Sequence, residues 1–130
     1  MSTTPGSVPR RSDFPAGKAI YCILPDDGTD KRLLLELRKK KAVIRASSDI
    51  CRAVGALAAV KTKRGKLPEA QLAKKVQVIC TADQADDIFD FIFWAAAVGK
   101  PGRGLMWQRA ASSCTPYELP ADIQDEETGA

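Results

Sequence analysis

The 130-residue chain contains no histidine, which removes imidazole acid–base catalysis and the commonest metal ligand. Its four cysteines include no CxxC pair. Cys22, Cys51 and Cys80 lie inside apolar stretches, which fits free thiols in a reducing cytosol better than a disulfide framework or a structural zinc site. Cys114 differs, because the polar segment "SSCTPYE" should leave it exposed, either as a bland thiol or as a redox-active one. Long apolar runs are also missing. The longest nearly charge-free one, 88–98, contains Asp90 and falls well short of the roughly 20 residues a membrane crossing needs, so a soluble protein is expected. The first 17 residues, "MSTTPGSVPRRSDFPAG", lack an apolar h-region; they argue against secretion and read as a disordered leader rich in Pro, Ser and Gly. Carboxylates paired for catalysis are absent as well, since the acids crowd into the start of the second helical segment and the tail, where capping and solubility account for them. The expectation is a cytoplasmic protein that is not an enzyme.

What is present is a chain with 45% apolar residues, enough for one modest core. The net charge of +4 admits an anionic partner but is unevenly spread. Residues 56–75 carry Lys61, Lys63, Arg64, Lys66, Lys74 and Lys75 against Glu69 alone, whereas the tail from Glu118 is acidic. Such asymmetry marks either interaction segments or solvated surface. "RKKK" at 38–41 reads as a solvated helix end.

Apolar and aromatic residues in "KAIYCIL" (18–24), closed by "PDDG", predict a strand and turn. "DKRLLLELRKKK" sets Leu33, Leu34 and Leu37 at helical spacing, with Asp30 as its N-cap. "AVIRASSDICRAVG" (42–55) reads as a second strand, bulged at Ser47 and Ser48. Residues 56–73 form a long loop of the kind that is usually functional or disordered, and "KKVQVICT" (74–81) a third strand. "ADQADDIFDFIFWAAAV" is a second helix capped by Asp83, with Trp94 and its three phenylalanines at core spacing and Gly99 as its C′ glycine. "LMWQRAA" (105–111) supplies the fourth strand. This order predicts an α+β ferredoxin-like βαββαβ sandwich over 18–112: an antiparallel four-stranded sheet with two helices on one face, followed by an acidic tail at 113–130. Cys22, Val78, Cys80 and Trp107 suggest strands apolar on both faces, so the open sheet face is expected to pack on sister subunits. Trp107 suits that packing or stacking on a base.

"VGKPGRG" (98–104) interrupts this pattern with three glycines and a proline. Glycines let main-chain N–H groups face outward and converge on an anion, and Arg103 between Gly102 and Gly104 can add a bidentate contact to phosphate. A tight turn would account for the same residues. The loop matches neither the Walker nor the dinucleotide-binding pattern.

"KKVQVICTADQADDIFDFIFWAAAVGKPGRGLMW" resembles the third strand, second helix and phosphate-binding loop of the PII-like signalling proteins, whose loop has the typical form TGxxGDGxIF. The resemblance spans 18–109. It implies a homotrimer that binds an adenine nucleotide as effector in clefts between subunits and signals to a target protein, such as a membrane transporter, through a mobile T-loop, here 56–73. It further implies ligand-binding roles for Gly55 at the T-loop base, for Gly99, Gly102, Arg103 and Gly104 in the phosphate loop, for Ser47 toward adenine, for Lys74 or Lys75 toward phosphate or a small anion, and for Arg109 across the subunit boundary. No cofactor is implied. Where the family has GDGK this chain has "GRGL", with Arg103 for the acid and Leu105 for the lysine, and the T-loop lacks tyrosine. These departures point to a divergent branch that reads ADP, AMP, ATP, a cyclic dinucleotide or bicarbonate, of the kind associated with transporters or inorganic carbon.

Two other readings come from different classes. A nucleic-acid-binding module would use the basic loop on a ferredoxin-like sheet, but "KKVQVICT" lacks the aromatics that RNA readers of this architecture expose. An oligomeric scaffold akin to the metal-tolerance proteins of similar fold is disfavoured by the absence of histidine.

Overall fold

The computed structural model describes residues 10, 14, 16–43, 45–57, 70–111 and 114–115. Six elements follow one another: β1 (Gly17–Pro25), α1 (Thr29–Lys41), β2 (Ala46–Ala53), β3 (Gln71–Thr81), α2 (Ala85–Ala95) and β4 (Leu105–Ala111). The sheet order is β2-β3-β1-β4, and every neighbouring pair is antiparallel. Each helix therefore carries the chain across one intervening strand, which is the ferredoxin-like sandwich the element order predicts.

Strand side chains alternate between faces, and the even-numbered residues of the two central strands take the helix side. Ile20, Cys22 and Leu24 of β1 and Val76 and Val78 of β3 pack with Leu33 and Leu37 of α1 and Ile88, Ile92 and Ala96 of α2. Each large side chain fully buried there contributes about 1.5–3 kcal/mol. Cys22 and Val78 lie in this core and Cys80 packs against it, so of the four residues expected to signal a second apolar face only Trp107 lies on it. That face is nonetheless apolar through Tyr21, Ile23, Ile79, Leu105 and Trp107. Tyr21 and Trp107 are register partners and stack with ring centroids 5.3 Å apart.

Helix ends depart from the sequence reading. Gly28, in the left-handed region at φ 91, precedes α1, and Asp30 lies buried in the first turn instead of capping it; Ser48 Oγ donates to its carboxylate at 2.6 Å. The turn is organised by Asp27, whose Oδ1 accepts the Thr29 amide at 3.1 Å. Asp83 does not cap α2, which starts two residues later with Gln84 before it and no side-chain cap. At the other end α2 stops at Ala95, and Ala97, not Gly99, adopts the left-handed conformation at φ 56. Ala97 N–H donates to Trp94 O and Val98 N–H to Phe93 O, the paired bonds of a Schellman motif. Gly99 serves packing instead, since a Cβ there would sit 2.5 Å from Cζ of Phe93.

β2 is shorter than expected and pairs with β3 in unbroken register from Ala46↔Val78 to Ala53↔Gln71, so Ser47 and Ser48 are not bulged. β3 begins at Gln71, which takes 71–73 out of the expected loop; 58–69 lie outside the described residues, as do nearly all of the leader and tail. Trp94 is 78% exposed and is not core, because it falls on the face of α2 opposite Ile88 and Ile92. Cys114 is buried, not exposed: its Sγ occupies the space over Gly17 where any Cβ would stand. Among the described residues no helix is long and apolar enough to cross a membrane.

Candidate functional site

The C-terminal end of β1 and the N-terminal ends of β3 and β4 lie at one edge of the molecule, and the glycine loop closes over it. Pro101 and Gly102 occupy the central positions of a turn closed by Arg103 N–H donating to Lys100 O at 3.2 Å. Proline followed by a glycine at φ 74 is the type II arrangement, in which φ must be positive at the third residue. Arg103 then forms an isolated antiparallel bridge with Leu57, which draws the start of the long loop, just past Gly55 at φ 79, against the glycine loop. Gly104, at φ 122, lies so close to β1 that a Cβ would collide with the Ile23 carbonyl oxygen. Gly102 and Gly104 are thus demanded by backbone geometry, and the Arg103 amide, expected to face outward, is engaged within the turn.

The Arg103 guanidinium is also engaged. Nη1 lies 3.2 Å from Asp27 Oδ2 and Nη2 3.3 Å from Thr29 Oγ1. The Thr29 hydroxyl donates in turn to Asp27 Oδ1. That bond above all holds the Asp27 carboxyl below the usual carboxylate range; burial opposes it, and the Thr29 amide and Arg103 add smaller lowering contributions. Beside it Lys74 Nζ lies 3.9 Å from Asp26 Oδ1. Two cations, Lys74 and Arg103, therefore pair with the two carboxylates of the β1–α1 turn.

Of the residues expected to bind ligand, Gly55, Lys74, Gly102, Arg103 and Gly104 come together at this edge. Gly99 packs on Phe93 nearby. The other three lie elsewhere on the chain. Lys75 projects from the open face, with Nζ 5.3 Å from the Tyr21 ring centroid. Ser47, opposite Gln77 on the outermost strand, is three strand spacings from Trp107, roughly 14 Å. Arg109, opposite Ala19, stands five residues beyond Gly104, about 17 Å along the strand. Asp26, Asp27, Thr29 and Leu57 were not singled out from the sequence. "PDDG" signals a turn, but nothing local to it shows which basic side chains its two acids meet.

A groove of about 390 Å³ between α1 and α2, lined by Lys40, Lys41, Asp87, Phe91 and Trp94 among others, contains none of these residues. Among the described residues no group of three His, Cys, Asp or Glu side chains is placed to hold a metal ion. The edge thus gathers two cationic side chains, Arg103 on a backbone shaped by Gly102 and Gly104 and Lys74 on β3, each set against a carboxylate.

No family model and no curated protein matches the sequence. Solved structures do match its fold. B. subtilis GlnK in complex with ATP superposes with a TM-score of 0.59 at 14% identity, over 75% of this chain and 83% of that one. A second B. subtilis GlnK structure gives 0.55 at 17% identity, over 75% and 86%. Arabidopsis thaliana PII bound to citrate gives 0.54 at 15% identity, over 72% and 76%. The chain thus has the PII-like fold that the glycine loop and its flanking elements suggested, and at these identities the likeness is one of fold.

Proposed function

We propose that the protein is a non-enzymatic, trimeric regulator of PII type that binds an adenine nucleotide in clefts between subunits and reports occupancy to a target protein through the long loop ahead of β3, residues 56–70. The observation that carries this reading is the junction of the two loops: the Leu57–Arg103 bridge couples the base of the long loop directly to the anion-recognising turn. A ligand seated on that turn shifts the loop's conformational populations by its difference in affinity between them. Support also comes from the fold shared with a GlnK–ATP complex and from the apolar open face bearing Tyr21 and Trp107, which a trimer would cover with sister subunits. On this reading Ser47, Lys75 and Arg109 act across the subunit boundary. The effector is ATP, ADP, AMP or a cyclic dinucleotide, with bicarbonate as a candidate co-ligand, and the target is a transporter or enzyme met in the cytoplasm. The stack of Tyr21 on Trp107 occupies one ring face of each with the other, which disfavours the use of this face for single-stranded nucleic acid.

Calorimetric titration with ATP, ADP, AMP and cyclic dinucleotides, with and without bicarbonate, tests the reading. Saturable binding of at least one nucleotide is expected, and no binding by any of them would overturn it. Arg103→Ala should weaken the bound nucleotide by about 1.5 kcal/mol, the low end for a charged hydrogen bond, because in the free protein the same guanidinium already has Asp27 as partner.

A further inference from the structure

We infer that Asp27 is an internal competitor for the anion site, a carboxylate that occupies Arg103 in the free protein and so sets which anions can take its place. The inference rests on the reading of this edge as an anion site. Asp27 is a built part of the β1–α1 turn: its Oδ1 accepts both the amide and the hydroxyl of Thr29, while Oδ2 faces Arg103 Nη1 at 3.2 Å. The two oxygens have separate tasks. One fixes the carboxylate to the turn and the other is presented to the arginine 76 residues away. When Arg103 swings to a ligand, Asp27 keeps its Thr29 bonds, so the turn does not collapse and the release costs the arginine's hydrogen bond to Thr29 Oγ1 and its contact with Asp27. That contact is partly open to solvent, with side-chain exposures of 33% for Arg103 and 45% for Asp27, and exposed pairs of this kind are weak. The competitor is therefore displaceable.

Its consequence is selectivity by charge. A monoanion offers Arg103 no more than Asp27 already does and must also approach the Asp27 charge that remains. A polyphosphate brings several charges and bridging oxygens, which reach Lys74 as well and displace its 3.9 Å contact with Asp26. Asp27 thus acts through Arg103 as a positioning residue that favours polyphosphates over carboxylates, bicarbonate and single phosphates.

The test is calorimetric titration of the full chain with inorganic pyrophosphate and with ATP at fixed ionic strength, for wild type, Asp27→Asn, Arg103→Ala and the double variant. Asparagine keeps the oxygen that accepts from Thr29. Asp27→Ser, which also supports such a turn, replaces it if the asparagine variant does not fold. The expected result is about fivefold tighter binding by Asp27→Asn, the equivalent of a surface ion pair near 1 kcal/mol, and no gain from the same change in the Arg103→Ala background. Equal affinity of wild type and Asp27→Asn overturns the inference while leaving the nucleotide reading intact. A gain that persists without Arg103 also overturns it, since general repulsion would then be the cause. Failure of every variant to bind either probe removes the anion site itself and the competitor with it.

Discussion

Trp107 lies on Tyr21 with ring planes only 15° apart, joining β4 to β1 on the sheet face opposite α1 and α2. With Ile23, Ile79 and Leu105 around it, the pair makes an apolar surface facing outward from the single chain. A trimer built on this face would bury it. Trp107→Glu would put a charge into that interface and should yield a folded monomer, whereas the wild type should have three times its mass by light scattering. A wild-type monomer would contradict the assignment of this face.

Gly104 should be the least replaceable residue of the loop. At φ 122, with the Ile23 carbonyl in the way of any side chain, Gly104→Ala combines backbone strain with a collision, and a loss of about 2–4 kcal/mol in urea unfolding is expected. Gly102→Ala must adopt the positive φ of a type II turn and should cost about 1 kcal/mol.

Both helices end on an alanine in the left-handed region, Ala42 at φ 54 and Ala97 at φ 56. Glycine adopts this conformation without the Cβ penalty. Ala97→Gly should therefore raise stability by about 0.5–1 kcal/mol, and Ala42→Gly likewise. Destabilisation by either substitution in denaturant titration would show that the alanine methyl makes a packing contribution larger than the strain.

Burial among the core side chains pushes the Cys22 thiol up to about 12, an effect only partly offset by a backbone hydrogen bond involving Val76. At pH 8 it should resist a disulfide reagent in the native protein, while Cys51, half-buried on β2, reacts. The sign of the linked pH effect follows. Above about pH 9 the unfolded chain ionises this thiol and the folded one does not, so its contribution erodes stability as pH climbs toward 12. Cys22→Ala should flatten that alkaline limb.

Asp27 gives the opposite limb. Its folded value is lowered, chiefly by the Thr29 hydroxyl, so its contribution is fully present above about pH 4, the ordinary carboxylate value, and is lost as pH falls through the folded value. Asp27→Asn should remove that part of the acid sensitivity, read from urea midpoints between pH 5 and 2.

The apolar run of 18–24, the alternation in 74–81, the leucine spacing of α1 and the Pro101-Gly102 turn were all legible because they are local, and they were enough to give the sheet order through the right sequence of elements. Less local features were not. Ala97 shows no sign in the sequence of taking the position where glycine is usual. Cys114 reads as exposed from its polar neighbours, and only the absence of a side chain at Gly17, 97 residues earlier, makes room for it. The contacts of Arg103 with Asp27 and Thr29 join segments more than 70 residues apart, so no window on the chain contains both halves of the site.

The most direct test of the central claim is a crystal structure of the protein grown with ATP. The account predicts phosphate oxygens within hydrogen-bonding distance of Arg103 and Lys74 at the edge formed by Gly102 and Gly104, with a neighbouring protomer closing the cleft. An empty edge with Arg103 still on Asp27 at saturating ATP, or nucleotide bound elsewhere on a monomer, would contradict it.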